Sequence, residues 1–125
     1  MFKYKGRKAV LRKKPPGKKG LLKGAHAIDR EFRIQQALFK QGFPVPKQFH
    51  YCKDPEVIGA EFYIMEYVEG RIFLDQNLPG MTPDERRVIY DEMMKVLAML
   101  HKFNPMAIGL EGYGKADNSY FQRQI

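Results

Sequence analysis

"AEFYIMEYVEG", residues 60–70, is an aromatic and branched run that closes on a glycine. Such a composition suits a pleated, half-buried surface, so a strand is predicted through Met65 with a short hinge before Gly70. Beyond Gly70 the pattern changes period. Thr82 and Glu85 stand at capping-box spacing with Pro83 in the first turn, and Ile89, Met93, Val96, Leu97, Leu100 and Phe103 form one apolar stripe. A long helix that buries deeply is expected there. Upstream, "RKAVLRK" (7–13) alternates as a strand, with Val10 and Arg12 on one face and Leu11 and Lys13 on the other; Pro15, Pro16 and Gly17 stop it. A helix is predicted from Ala25 to Gln41, because Ile28, Phe32, Gln35, Leu38 and Phe39 share one side and Gly42 suits its C-terminal stop. "FPVPKQFHYC" begins as a rigid connector and becomes a strand, and a turn at Asp54 and Pro55 leads through Gly59 back to residue 60. The order strand, helix, strand, strand, loop, helix defines an α+β chain. The final "SYFQRQI" begins a further amphipathic pattern without a cap, as though an element had been cut.

At 125 residues, with 44% hydrophobic content, the chain can bury one core. Its net charge of +8 is local: the first 24 residues hold ten Lys or Arg and no Asp or Glu, leaving 12 cations against 14 anions over the rest. A basic face spanning the whole domain is therefore excluded. The lone Cys52 has no internal disulfide partner and no zinc-type spacing, which fits a structural role in a reducing compartment. No apolar run approaches the roughly 20 residues of a membrane span, and the N-terminus lacks the apolar core of a secretory signal. An intracellular location is the expectation.

Two features carry chemistry. Glu31 follows Ile28 by three positions on the apolar side of the first helix, where a carboxylate needs a partner. Arg12, on a neighbouring strand, could supply it; alternatively Glu31 sits at the edge of the stripe, solvated. Secondly, the hinge after Met65 can offer backbone donors and acceptors to a cleft, as adenine recognition requires, although a core strand ending in a turn has the same sequence. "GKKGLLKG" (17–24) lacks the Lys-Ser or Lys-Thr of a phosphate-binding P-loop. His26 and His101 suit helix-start and helix-end contacts, and Met93, Met94 and Met99 suit core packing.

"VLRKKPPG", "AHAIDREFRIQQAL", "GFPVPK", "VIGAEFYIMEYVEGRIF", "LPGMTPDERRVIYDEM" and "GLEGYG" together resemble a known family. This is the aminoglycoside-phosphotransferase and choline-kinase-like, protein-kinase-like domain at the N-terminal end of acyl-CoA dehydrogenase family members ten and eleven, nearer to eleven. The resemblance implies a protein-kinase-like fold: an antiparallel N-lobe sheet with one helix, then the first part of a helical C-lobe. Residues 1–70 would be the nucleotide-binding lobe and hinge, without the glycine-rich loop, and 71–125 the start of the helical lobe, ending before the catalytic loop. It implies Arg12 at the strand position facing the α- and β-phosphates of ATP, Glu31 as its helix partner and Val10 above the adenine. Met65 would be the gatekeeper, with the Glu66 carbonyl and the Val68 amide on the adenine edge.

The resemblance also implies ATP and Mg²⁺ as cofactors, a small-molecule hydroxyl acceptor such as a hydroxyacyl-CoA, and FAD only in a dehydrogenase part outside these residues. As partners it implies the remainder of a parent chain, with no specific nucleic acid and no transmembrane segment; the location would be peroxisome or mitochondrion. Two departures stand out. Arg12 occupies a position where most kinases carry Lys, and a planar fork differs from a compact ammonium. No His-Gly-Asp follows, since His26, His50 and His101 precede Ala, Tyr and Lys, and no metal-binding Asp matches. The chain alone is thus expected to hold no catalytic residue, to bind no metal and not to catalyse. Alternative readings are a non-catalytic interaction fragment and a basic nucleic-acid or acidic-surface binding module through residues 1–24.

Overall fold

The computed structural model describes residues 1–15 and 27–113. Lys18, Lys19, Lys23, His26 and the "SYFQRQI" segment lie outside them. Six elements follow in order: β1 (Phe2–Tyr4), β2 (Arg7–Lys13), α1 (Ile28–Lys40), β3 (Gln48–Cys52), β4 (Phe62–Glu66) and α2 (Pro83–His101). The strands form one antiparallel sheet in the order β1-β2-β4-β3. This is the expected α+β arrangement of a small sheet with one helix followed by a helical segment.

β2 spans the predicted 7–13, whereas β1 was not foreseen. It exists because Lys5 and Gly6 both adopt positive φ, 47° and 78°, which makes a two-residue turn whose twist matches the flanking strands. Phe2 then pairs with Ala9 and Tyr4 with Arg7. α1 runs from Ile28, the predicted start at Ala25 lying outside the described residues, and stops as expected at Gly42, where a φ of 72° lets the Phe43 amide reach back to the Leu38 carbonyl. The 54–59 turn closes through the Asp54 side chain, which accepts from the Glu56 amide, and through Gly59 at φ 81°.

The sheet has two distinct faces. On one, Ala9, Phe62 and Ile64 form a buried cluster with Tyr4, Phe49 and Cys52 packed against it. On the other lie Val10, Arg12, Tyr63 and Met65, since Val10 pairs with Met65 and Arg12 with Tyr63. α1 covers part of this second face through Phe32, whose ring stacks on Tyr51 at 5.4 Å and meets Tyr63 at 6.0 Å. A register shift between Gln48 and His50 decides what β3 contributes. The extra residue lets Gln48 and Tyr51 share the helix side while Phe49 and Cys52 serve the opposite one.

α2 corrects two expectations. Its capping box is present, with the Glu85 amide donating to Thr82 Oγ1 and the Thr82 amide to Glu85 Oε2. Yet among the described residues no side chain of α2 is buried, and Met93 and Met94 are more than half exposed. The apolar stripe instead lines an open groove of about 600 Å³ with Phe43 at its edge. Periodicity identified the apolar face correctly; Phe43 and Phe103, whose rings meet edge-on at 5.9 Å, cover only its C-terminal end. Phe39, placed on the buried stripe of α1, is likewise 40% exposed.

The β1–β2 turn gives a test with opposite signs. Gly6→Ala should lower stability by about 1 kcal/mol through backbone strain alone, since no atom lies within 4 Å of the added methyl. Lys5→Asn should raise it, because Asn accepts positive φ more readily than Lys. Urea denaturation measures both, and equal effects of the two changes would exclude this account of the turn.

Candidate functional site

Arg12 and Glu31 meet across the helix-covered face of the sheet. Arg12 presents the side of its guanidinium, with Nε donating to Glu31 Oε2 at 2.5 Å and Nη2 to Oε1 at 3.1 Å. This two-point geometry leaves Nη1 without a partner among the described residues. Glu31 is neither buried nor freely solvated: its side chain keeps 30% of its exposure and that of Arg12 48%. At that exposure the pair adds little stability, of order 1 kcal/mol or less, and its value is directional. The carboxylate raises the Arg12 pKa further, mainly by accepting its hydrogen bond.

A polar chain that the sequence did not reveal stands behind Glu31. The Tyr63 hydroxyl donates to Glu31 Oε2 at 3.2 Å and accepts from Gln35 Nε2 at 3.4 Å. Gln35 Oε1 accepts from Gln48 Nε2 at 2.8 Å, and the same amide donates to the Pro46 carbonyl at 3.1 Å. Tyr63 is 1% exposed, and burial first, then the nearby Glu31 charge, pushes its pKa up. The only available signal was Gln35, a polar residue on an apolar stripe.

The other candidates lie on β2, β4 and the hinge that follows. Val10 and Met65, both half-buried, face the same side directly opposite each other. The Glu66 amide is engaged by the Lys47 carbonyl and its carboxylate accepts from the Lys47 amide. Val68 is 61% exposed, and its amide has no hydrogen-bond partner among the described residues. Lys8, two residues before Val10, pairs with Glu69 and lies 5.8 Å from the Tyr67 ring centroid, closing the hinge end of the cleft. Each partner stabilises the other's charge, which raises the pKa of Lys8 and lowers that of Glu69. Among the described residues no group of three His, Cys, Asp or Glu could hold a metal ion, and no helix is long and apolar enough to cross a membrane.

α1 is also fastened on its far side. The Arg30 guanidinium lies 4.4 Å from the Tyr113 ring centroid and donates to the Tyr113 carbonyl, while the Tyr113 hydroxyl donates to the Arg30 carbonyl at 2.6 Å. Arg33 Nη2 donates to the Gly109 carbonyl at 3.0 Å. The helix bearing Glu31 is thus held between the sheet and the 109–113 loop.

Residues 2–125 match the family described as the phosphotransferase enzyme family. Acyl-CoA dehydrogenase family member 11 of Homo sapiens is 55% identical over 116 residues, which cover 93% of this chain and 14% of that protein. Acyl-CoA dehydrogenase family member 10 of Mus musculus is 46% identical over 119 residues, 95% of this chain and 11% of that protein. The chain therefore spans about one seventh or less of these relatives. A crystal structure from Ralstonia eutropha, described as a candidate aminoglycoside phosphotransferase, superimposes with a TM-score of 0.78 at 49% identity, covering 96% of this chain and 33% of that one.

The raised Tyr63 pKa sets a sign for alkaline stability. A phenol held protonated in the folded state favours folding fully below its unfolded pKa, near 10, and loses that contribution as pH rises through the folded value. Stability should therefore fall from pH 10 upward, and less steeply in Tyr63→Phe, with Tyr51 supplying the remaining slope. Chemical denaturation at pH 8 to 11 measures this; parallel curves would show that Tyr63 titrates as it does in water.

Proposed function

The chain belongs to the phosphotransferase enzyme family, and from that premise we propose that its helix-covered sheet face is the nucleotide side of an ATP-dependent small-molecule phosphotransferase. The observation that carries this reading is the side-on Arg12–Glu31 pair, a half-exposed guanidinium on the same sheet face as Val10 and Met65 whose Nη1 has no partner among the described residues. In this reading residues 1–70 are the nucleotide lobe and hinge, and 71–125 begin the helical lobe.

Each residue has a distinct task. Arg12 would place positive charge and planar donors against the α- and β-phosphates, and Glu31 would hold that guanidinium in orientation without neutralising its outer nitrogen. Val10 and Met65 would offer apolar surface to the adenine. The unpartnered Val68 amide would donate to the ring, and the Glu66 carbonyl would accept from its amino group. Positioning of this kind contributes to phosphoryl transfer by lowering the orientational part of the barrier. Among the described residues no group of three His, Cys, Asp or Glu side chains could hold Mg²⁺. A hydroxyacyl-CoA is the acceptor we favour, because the similar human and mouse proteins are acyl-CoA dehydrogenase family members.

Isothermal titration with ATP and with adenosine separates the assignments. Arg12→Ala should weaken ATP by about tenfold, the worth of one charge-assisted contact, and leave adenosine unchanged. Equal loss for both ligands, or none for either, would overturn the phosphate role.

The competing reading, a nucleic-acid arm through residues 1–24, meets a specific obstacle. Lys8, Arg12 and Lys14 already lie against Glu69, Glu31 and Glu61. Binding of a fluorescent oligonucleotide should be weak and sequence-indifferent, declining by about 0.7 to 0.9 log units per log unit of salt for each phosphate contacted. Tight binding that persists at physiological salt would restore the nucleic-acid reading as the main function.

A further inference from the structure

The chain of hydrogen bonds behind Glu31 has a fixed direction. The Pro46 carbonyl can only accept, so the Gln48 group 3.1 Å from it is the amide Nε2. That nitrogen also donates to Gln35 Oε1 at 2.8 Å, which turns Gln35 Nε2 toward the Tyr63 hydroxyl. A carboxylate likewise only accepts, so the hydroxyl, already receiving from Gln35, gives its own proton to Glu31 Oε2. One backbone carbonyl on the connector before β3 thereby sets the polarity of every group up to the ion pair.

Resting on the phosphate-clamp reading above, we propose that Tyr63 is a positioning residue. Its hydroxyl, oriented through Gln35 and Gln48, holds Glu31 Oε2 where Arg12 Nε meets it and so leaves Nη1 facing the phosphates of a bound nucleotide. The ion pair cannot fix itself in this way. Arg12 and Glu31 keep 48% and 30% of their side-chain exposure, and half-solvated pairs exchange among several geometries, whereas Tyr63 is 1% exposed with its ring held against Phe32. Gln48 is 9% exposed, so the far end of the chain is also shielded from water. A buried hydroxyl of fixed polarity is the stationary point against which a half-exposed carboxylate is set.

The test uses the full chain and two isosteric changes. Tyr63→Phe removes the hydroxyl and keeps the ring. Gln35→Glu replaces the donor facing Tyr63 with an acceptor of similar size, which draws the phenolic proton away from Glu31. In each variant the Arg12 Nε–H, followed by nitrogen–proton NMR, should exchange with water about tenfold faster, the effect expected for one hydrogen bond to a charged group. The double variant should exchange no faster than either single one, because both interrupt the same chain. Rates unchanged in both single variants, or multiplying in the double, would overturn the proposal. Should Tyr63→Phe lose the native spectrum, Gln35→Glu decides alone, by faster or unchanged exchange.

ATP and adenosine affinities keep the two readings apart. If Arg12→Ala weakens ATP selectively while exchange is unchanged in the other variants, the clamp stands and the Tyr63 role falls. If Arg12→Ala leaves ATP binding intact while exchange accelerates as expected, Tyr63 positions the pair but not for phosphate.

Discussion

The contact between Arg12 and Glu31 is the one from which the geometry of the candidate site is built. It joins β2, the second strand of the sheet order, to the first turn of α1, two elements separated in sequence by residues 14–27. Coulomb energy is not its main contribution, because both side chains remain substantially in water. What it imposes is geometry. A guanidinium engaged through Nε and Nη2 shares a plane with the carboxylate, and the Tyr63 hydroxyl on Glu31 Oε2 supplies the third point of that arrangement. Lysine could not impose this, since an ammonium makes its contacts without a preferred plane.

That constraint would fail if α1 were free to move, and the structure holds it from both sides. Phe32 packs toward the sheet, while Arg30 and Arg33 on the opposite flank carry hydrogen bonds to the 109–113 loop. The two sets act at nearly the same level of the helix, around its first and second turns. Displacing α1 outward would therefore break aromatic packing and the ion pair on one flank, while sliding it would break the Tyr113 contacts on the other. The phosphate role proposed for Arg12 would gain from such bracing, because a misplacement of about 1 Å at a reacting centre can cost two orders of magnitude in rate.

The sequence was most legible where causes were local. The alternation of residues 7–13, the positive-φ stop at Gly42 and the Thr82–Glu85 capping box each depend on a few neighbouring residues, and each matches the structure. The facing of Glu31 toward Arg12 was readable as one of two alternatives, since an acidic residue on an apolar stripe announces a need but not its partner. The Gln48, Gln35 and Tyr63 chain was illegible for a definite reason. It depends on the bulge between Gln48 and His50, which moves Gln48 to the helix side, and nothing in "KQFHYC" distinguishes a bulged from a regular pairing. The exposure of α2 was hidden differently: a period of 3.6 shows that a face is apolar, never what covers it.

The basic segment shows how misleading a charge count can be until the fold is known. Ten cations without an anion in the first 24 residues look like an electrostatic arm, yet the four on β2 (Arg7, Lys8, Arg12 and Lys13) are distributed by that strand's alternation. Lys8 and Arg12 share the helix-side face with Val10, where they reach Glu69 and Glu31. Lys13 points the other way and donates to the Ile58 carbonyl in the 54–59 turn, and Lys14 lies 3.6 Å from Glu61 at the start of β4. Four cations consecutive in the basic run thus meet four acceptors that the chain supplies later, from α1, the turn, the start of β4 and the hinge. Antiparallel pairing with β4 is what brings three of these acceptors, from the turn, the start of β4 and the hinge, back alongside β2, and α1 supplies the fourth. Of the four, Arg12 alone combines a two-point contact to a carboxylate, a position opposite Tyr63 and a nitrogen without a partner among the described residues, and this sets it apart from its neighbours.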